Sequence, residues 1–357
     1  MDEIIYTTTK EQINKLKQQN LIIQDENKAQ NMLSLYGYSN LIKSYREPYI
    51  HISNGKKMYR SGITFEQICS LYLLDKQLRN AVMASMQDLE EHIKEAAADV
   101  VASAFGTHPD DYLRFRNYSN KRKRQERFAL SGILQTMHKT LDTDKNPIHH
   151  YQTEHGVVPP WILFKSIYFT TINNFIDQFK TEQKDEMVNK LYDIGVLGVT
   201  QEAARLLMMD TLFICQNYRN TAAHGGRTYN YQSETNLRTS EIFVSELPVD
   251  VHGFSELMFL LSLFKYESPY RRLEHVLRQE LTRHCSRFPQ DITYLGQILN
   301  MDIVPKNIVY VSEKSNKYHA NPHCSGTKNA NEIVLEDAQA LGFKPCKRCA
   351  NDITPYI

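Results

Sequence analysis

From Phe65 to Phe105 the chain contains neither Gly nor Pro, and apolar residues recur at Leu71, Leu74, Leu78, Val82, Leu89, Ile93 and Val100. That spacing is close to the roughly 3.6-residue period of an amphipathic helix, so one long helix is predicted, packed in a bundle. Similar patterns run from Trp161 to Lys180, from Gln201 to His224 and from Ser255 to Arg283. Thr9-Lys10-Glu11-Gln12 and Thr64-Phe65-Glu66-Gln67 each fit a capping box at a helix start. Residues 106–160 are polar and read as an irregular insertion, closing at Gly156-Val157-Val158-Pro159-Pro160. Glu241–Val249 is weakly strand-like, with Pro248 ending it.

The texture changes after Met301. Ile308–Val311 and Glu332–Leu335 read as short strands and Ala338–Leu341 as a short helix. Pro305 marks the boundary, giving a helical domain over 1–304 and an α+β module over 305–357. So short a module cannot build a strong apolar core and needs a staple. The fold class expected is therefore mainly α, a helical bundle with a small stapled C-terminal module.

Composition narrows the function classes only a little. Of 357 residues, 42 are basic and 41 acidic, a net charge of +1, so any surface for a polyanion is local. Met1-Asp2-Glu3 lacks the layout of a signal peptide, and the apolar run Leu257–Phe264 is far too short to span a bilayer. A soluble, cytoplasmic protein with no membrane partner is expected. Cys69, Cys215 and Cys285 are scattered and suit buried apolar positions.

The other three cysteines crowd together near the end. Tyr318-His319-Ala320-Asn321-Pro322-His323-Cys324 is followed by Lys344-Pro345-Cys346-Lys347-Arg348-Cys349. Cys346 and Cys349 form a C-x-x-C knuckle, Cys324 supplies a third thiolate, and His319 or His323 supplies the fourth ligand. Adjacent His323 and Cys324 reach one ion together with difficulty, which favours His319. Four closed N/S ligands define a structural Zn2+ site. The segment resembles the metal-binding module of the Ada DNA-repair protein, a kind of module that bacteria append to nucleases.

The chemistry-bearing segment is Arg219-Asn220-Thr221-Ala222-Ala223-His224, followed by Gly225-Gly226. On a helix Asn220 and His224 share a face, while the long Arg219 side chain must curl round to join them. The two glycines read as a helix stop, and a helix end rich in free carbonyls favours a cationic side chain such as imidazolium. Cleavage of RNA by its own 2′-hydroxyl needs a base, an acid and a cation on the phosphorane, and no metal. His224 suits the first two roles, Arg219 clamps phosphate, and Asn220 orients the ring or binds phosphate. One helix carries one histidine, which points to a homodimer. Arg46 to His51 and Arg278 to His284 fit a looser Arg-to-His spacing, but Pro48 interrupts the first and Gln279 follows the arginine in the second. Lys121-Arg122-Lys123-Arg124 is either a solvated face or an RNA contact.

Four blocks carry a family likeness: Gln12–Arg46 (with Leu16, Leu21-Ile22-Ile23 and Tyr36-Gly37-Tyr38), Leu71–Glu90, Pro159–Phe179 and Tyr218–Arg227. Across them the chain resembles bacterial abortive-infection proteins of the AbiD/AbiF kind, members of the HEPN superfamily of helical ribonucleases. The resemblance implies a HEPN-type bundle and a composite dimeric site at Arg219 and His224, with Arg227 as the family's downstream arginine, expected to bind RNA. It further implies metal-independent RNA cleavage to 2′,3′-cyclic phosphate and 5′-hydroxyl ends, a toxin role in phage defence, and restraint by a cognate small RNA or protein antitoxin. The sequence departs from the family at Lys165, where Glu is usual, and at Phe169-Thr170, where Phe-Gly is usual. Asp75, Arg79 and Glu90 match family positions and read as a structural ion-pair network, and Trp161 as a core or cap residue. The competing reading is a non-catalytic RNA-binding or interaction protein of a defence or toxin–antitoxin system.

Overall fold

The computed structural model describes residues 6–242, 252–303, 307–312, 316–321, 324, 327 and 330–350. The protein is mainly helical, with a small C-terminal sheet. In chain order the principal helices are α1 (Thr9–Gln18), α2 (Glu26–Tyr36), α3 (Phe65–Phe105), α4 (Leu130–Leu141), α5 (Ile148–His155), α6 (Phe169–Asp177) and α7 (Thr181–Leu191). They continue with α8 (Gln201–Ala223), α9 (Phe254–Ser262), α10 (Ser268–Arg287), α11 (Ile292–Leu299) and α12 (Leu335–Ala340). Two compact units emerge, residues 1–78 with 275–357, and residues 79–274; the divisions fall within α3 and α10.

The helix predicted over Phe65–Phe105 has those bounds. Its periodic apolar residues Leu71, Leu74, Leu78, Val82, Leu89, Ile93 and Val100 are all buried. The pattern over Trp161–Lys180 is interrupted instead: a short helix at Pro160–Leu163 gives way to extended backbone at Ile167–Tyr168 before α6 begins. The run Ser255–Arg283 also divides, because Pro269 lacks an N–H and starts α10 afresh. The capping box at the first helix sits one residue earlier than predicted, with Thr8 and Glu11 as the reciprocal pair. Gln67 donates its backbone N–H to Thr64 Oγ1 at 3.1 Å but sends its side chain elsewhere.

The stretch 106–160 is less irregular than its composition suggests. It holds α4 and α5, and α4 buries Leu130, Ile133, Leu134 and Met137 on one face. Ile242 ends a short helix, Thr239–Ile242, rather than starting a strand, and residues 243–249 of the strand expectation lie outside the described residues. Trp161, expected in the core or as a cap, is 36% exposed.

In the unit of residues 79–274, α8 packs against α6, α7 and α9. It buries Leu207, Met208, Leu212, Ile214 and Cys215, so most of its circumference is core. The chain then turns and runs back along the same helix. Asn217 Nδ2 donates to Ser233 Oγ (2.9 Å) and Thr235 Oγ1 (3.2 Å), and the Tyr218 hydroxyl donates to the Tyr231 carbonyl (2.8 Å). At the far end Arg238 forks onto Asp210, only 5% exposed, with Nε and Nη2 at 3.0 and 2.7 Å.

In the other unit, β1 (Ile50–Ser53) and β2 (Lys56–Tyr59) form an antiparallel hairpin. The C-terminal sheet has the order β5-β3-β4-β6, from β3 (Ile308–Val311), β4 (Lys317–His319), β5 (Asn331–Val334) and β6 (Lys344–Pro345). Both predicted strands are present, and the predicted short helix begins three residues early as α12. The module's apolar cluster is small: Val309, Tyr318, Leu335, Ala338, Cys346 and Ala350. That suits a module that relies on a staple. The boundary expected at Pro305 falls on residues 304–306, outside the described set.

Candidate active site

The C-terminus of α8 is built by a Schellman turn. His224 is the last helical-like residue, at φ −92°, and its backbone N–H reaches the Asn220 carbonyl at 3.1 Å. The Gly225 N–H then bonds the Ala222 carbonyl at 3.1 Å and the Gly226 N–H the Thr221 carbonyl at 2.9 Å. Both positions favour glycine. Gly225 has φ +72°, and a Cβ on Gly226 would lie 2.7 Å from Thr221 Cγ2. Arg79, on α3 within the same unit, points Nη1 at the carbonyls of Gly225 (3.4 Å) and Gly226 (3.5 Å). A guanidinium there complements the negative end of the helix. Arg79 is expected in an ion-pair network with Asp75 and Glu90; here it meets these carbonyls, while Asp75 accepts from the Tyr45 hydroxyl and Glu90 pairs with Lys94.

Asn220 and His224 line one shallow depression of about 400 Å³, together with Asn217, Thr221, Gly226 and Tyr231 among others. His224 is exposed, and its ring makes no hydrogen bond within the described residues. Arg219 lies off this face, as helical geometry requires, but its guanidinium turns back to within 3.5 Å of Asn220 Oδ1. Asn220 and His224 thus share the depression, while Arg219 touches Asn220 and is not among the residues that line it. Arg227, three residues beyond the turn's start at His224, is partly buried nearby in sequence.

The basic run behaves differently from one side chain to the next. Lys121 and Lys123 place Nζ 2.9 and 2.6 Å from the two carboxylate oxygens of Asp177, and Lys184 reaches Oδ1 at 3.3 Å. Lys123 also lies 5.6 Å from the centre of the Phe213 ring. Burial by itself would raise the Asp177 carboxyl, but hydrogen bonds from Lys123 and Lys121 and the charge of Lys184 hold it well below the ordinary range. Burial, with Lys121 beside it, pushes Lys184 down to about 8. Two of the four side chains of this basic run are thus tied to a carboxylate within the fold. Arg122 and Arg124 remain exposed. Nothing in the local sequence signals Asp177, which lies more than fifty residues away.

The terminal donors do come together. One ligand atom from each of His319, Cys324, Cys346 and Cys349 lies within 4.8 Å of all the others. Cys349 Sγ is 3.5 Å from His319 Nδ1. Tetrahedral zinc, with metal–sulfur bonds of about 2.3 Å, separates its ligand atoms by roughly 3.3–3.8 Å, so the residues present fit a Zn2+ ion. The fold explains the meeting: β4 pairs with β6 in parallel, which lays His319 beside the knuckle that follows Pro345. The knuckle is closed by Cys349 N–H to the Cys346 carbonyl (3.3 Å) and anchored by Cys346 N–H to the Tyr318 carbonyl (2.9 Å). The Arg348 backbone N–H holds the Cys346 thiol below its ordinary value, and burial, with Lys317 nearby, favours the neutral His319 ring a metal needs. His323 lies outside the described residues. Among the described residues no helix is long and apolar enough to cross a membrane.

A helical protein with Arg-Asn-x-x-x-His at an exposed helix end invites comparison with known families. The Abi-like protein family matches residues 31–230, more than half of the chain, and this protein belongs to that family. The match ends four residues after Gly226 and does not include the His/Cys cluster. No curated protein and no solved structure matches the chain.

Proposed function

We propose that the protein is a HEPN-type endoribonuclease that acts as a toxin in phage defence by abortive infection, without a catalytic metal. The observation that carries the proposal is the shared face of Asn220 and His224 over an open depression, with Arg219 reaching Asn220, inside a stretch that belongs to the Abi-like family. An exposed imidazole with no hydrogen-bond partner among the described residues offers both nitrogens to a substrate.

In this mechanism His224 removes the proton from a ribose 2′-hydroxyl as O2′ attacks phosphorus. The bond from phosphorus to O5′ breaks, O5′ takes a proton, and the strand ends as a 2′,3′-cyclic phosphate and a 5′-hydroxyl. Arg219 neutralises the charge that gathers on the non-bridging oxygens, where a guanidinium matches the geometry. Asn220 orients the ring or the phosphate. A single chain offers one histidine at this site, so a homodimer with the two His224 rings facing one substrate supplies both base and acid. RNA would track along Arg227 and the exposed Arg122 and Arg124. A small RNA or a protein antitoxin would hold the toxin in check. The His319/Cys324/Cys346/Cys349 site would hold structural Zn2+, as in an Ada-like module, and take no part in the reaction.

Mapping the ends of the products tests this reading. In excess EDTA the proposal expects cleavage that leaves 2′,3′-cyclic phosphate and 5′-hydroxyl ends, retained in Cys349→Ala. Products with 3′-hydroxyl ends, or cleavage that stops in EDTA while the fold persists, would make it a metal nuclease. RNA retained without cleavage would favour the non-catalytic RNA-binding protein.

A further inference from the structure

A second polar constellation lies in the unit of residues 1–78 and 275–357. Ser70 Oγ is 2.9 Å from His284 Nδ1, and His284 Nε2 is 2.9 Å from Asp291 Oδ2. Asp291 also accepts from the Tyr49 hydroxyl (2.7 Å) and from Gln67 Nε2 (2.8 Å). An ionised carboxylate only accepts, so His284 carries a proton on Nε2. If the ring is neutral Nδ1 is then an acceptor, Ser70 donates to it, and the serine hydroxyl has a fixed direction.

The order Ser–His–Asp is that of acyl-transfer triads, but Ser70 sits inside α3. Backbone N–H groups in a helix interior are spent on carbonyls one turn back, so none is offered to an oxyanion. Cys69, beside it, is kept as an unreactive thiol by burial. What the relay does provide is a serine oxygen held still, with acceptor capacity left over.

That oxygen lines a cavity of about 340 Å³, a size typical of small-molecule sites. Phe65, Leu74, Met32 and Phe288 supply apolar wall, and the charged lining is Lys28, Arg283 and Arg287 together with Glu66 and Glu280. Arg283 and Arg287 share the Glu332 carboxylate, and Arg283 also pairs with Glu280. A guanidinium has five N–H donors, so both keep donors for an incoming anion.

We propose that this cavity binds a small aromatic carboxylate bearing an N–H or O–H donor. The ring would lie against Phe65, Leu74 and Phe288, the donor on Ser70 Oγ, and the carboxylate at Arg283 and Arg287. The proposal is independent of the RNA reading, because no residue is shared with it. Calorimetric titration of the full chain with indole-3-acetate and with 1-naphthaleneacetate, its counterpart lacking the donor, tests it. Indole-3-acetate should bind about tenfold more tightly, the scale of one hydrogen bond to a fixed acceptor. Ser70→Ala should bring the two ligands to within about twofold of each other. Leu73→Trp, at a partly exposed lining position, should weaken both by about tenfold or more while circular dichroism stays unchanged. The proposal is overturned if neither acid binds at millimolar concentration to folded protein. It is equally overturned if the preference survives Ser70→Ala or if binding ignores Leu73→Trp.

Discussion

His224 and His284 come after an arginine at nearly the same spacing, five residues past Arg219 and six past Arg278, yet the fold treats them as opposites. His284 is 1% exposed, with both ring nitrogens engaged by Ser70 and Asp291. His224 stands exposed at a helix stop, its ring unengaged among the described residues. The residues C-terminal to each histidine make the difference. Gly225-Gly226 ends α8 and turns the chain away from the ring, whereas α10 carries on past His284 and the next turn brings Asp291 back onto it. A histidine committed on both nitrogens specifies packing; one left open at a helix end is available for chemistry.

The contrast can be broken or sharpened by substitution. The largest stability effect is expected at the buried ring. His284→Ala should cost about 3 kcal/mol in urea unfolding, from the cavity left and from Ser70 and Asp291 losing a partner. His224→Ala should stay within about 0.5 kcal/mol of wild type. Comparable losses at the two positions would erase the distinction.

Asp177→Asn should come next, at about 2–3 kcal/mol at pH 7, because it leaves Lys121, Lys123 and Lys184 facing one another. The sign of its pH dependence is fixed. A carboxylate held below its ordinary 3.8 stabilises the fold above that value and loses the contribution as pH falls. Lys184, pushed down to about 8, has a slope of the same sign in a higher window: its buried charge disfavours the fold below about 8, and stability rises as pH climbs from there towards its ordinary 10.5. Unfolding curves from pH 3 to 7 should therefore show a flatter acid limb in Asp177→Asn than in wild type.

Asp210→Asn should cost about 2 kcal/mol by weakening the Arg238 fork. It should also slow RNA cleavage, since the returning segment carries Tyr231 at the edge of the depression. Among the substitutions expected to destabilise, Gly225→Ala comes last, at about 1 kcal/mol from its left-handed backbone alone, as no atom obstructs a Cβ there. A thermal shift near zero would mean the turn relaxes without cost.

Much of the fold and of the candidate site was legible in the residues. The unbroken period of Phe65–Phe105 encodes α3, Gly225-Gly226 encodes the end of α8, and Cys-x-x-Cys with His319 and Cys324 encodes the donor cluster. Each is a local signal, set by periodicity, backbone freedom or ligand spacing. What escaped is long-range or weakly apolar. α7, Thr181–Leu191, is mostly charged and polar and declares itself only by burying Met187, Val188 and Leu191. The partners of Lys121 and Lys123 and the relay from Ser70 to Asp291 join residues far apart in the chain, which no window of sequence displays.

One time course decides the functional reading: cleavage of a purified RNA in EDTA by wild type, His224→Ala and Arg219→Gln, each shown to be folded. Losing an acid–base group or the phosphate clamp should slow the reaction by about 100- to 10,000-fold in either variant. Equal rates in all three would place the cutting elsewhere and leave this helix end with no part in it.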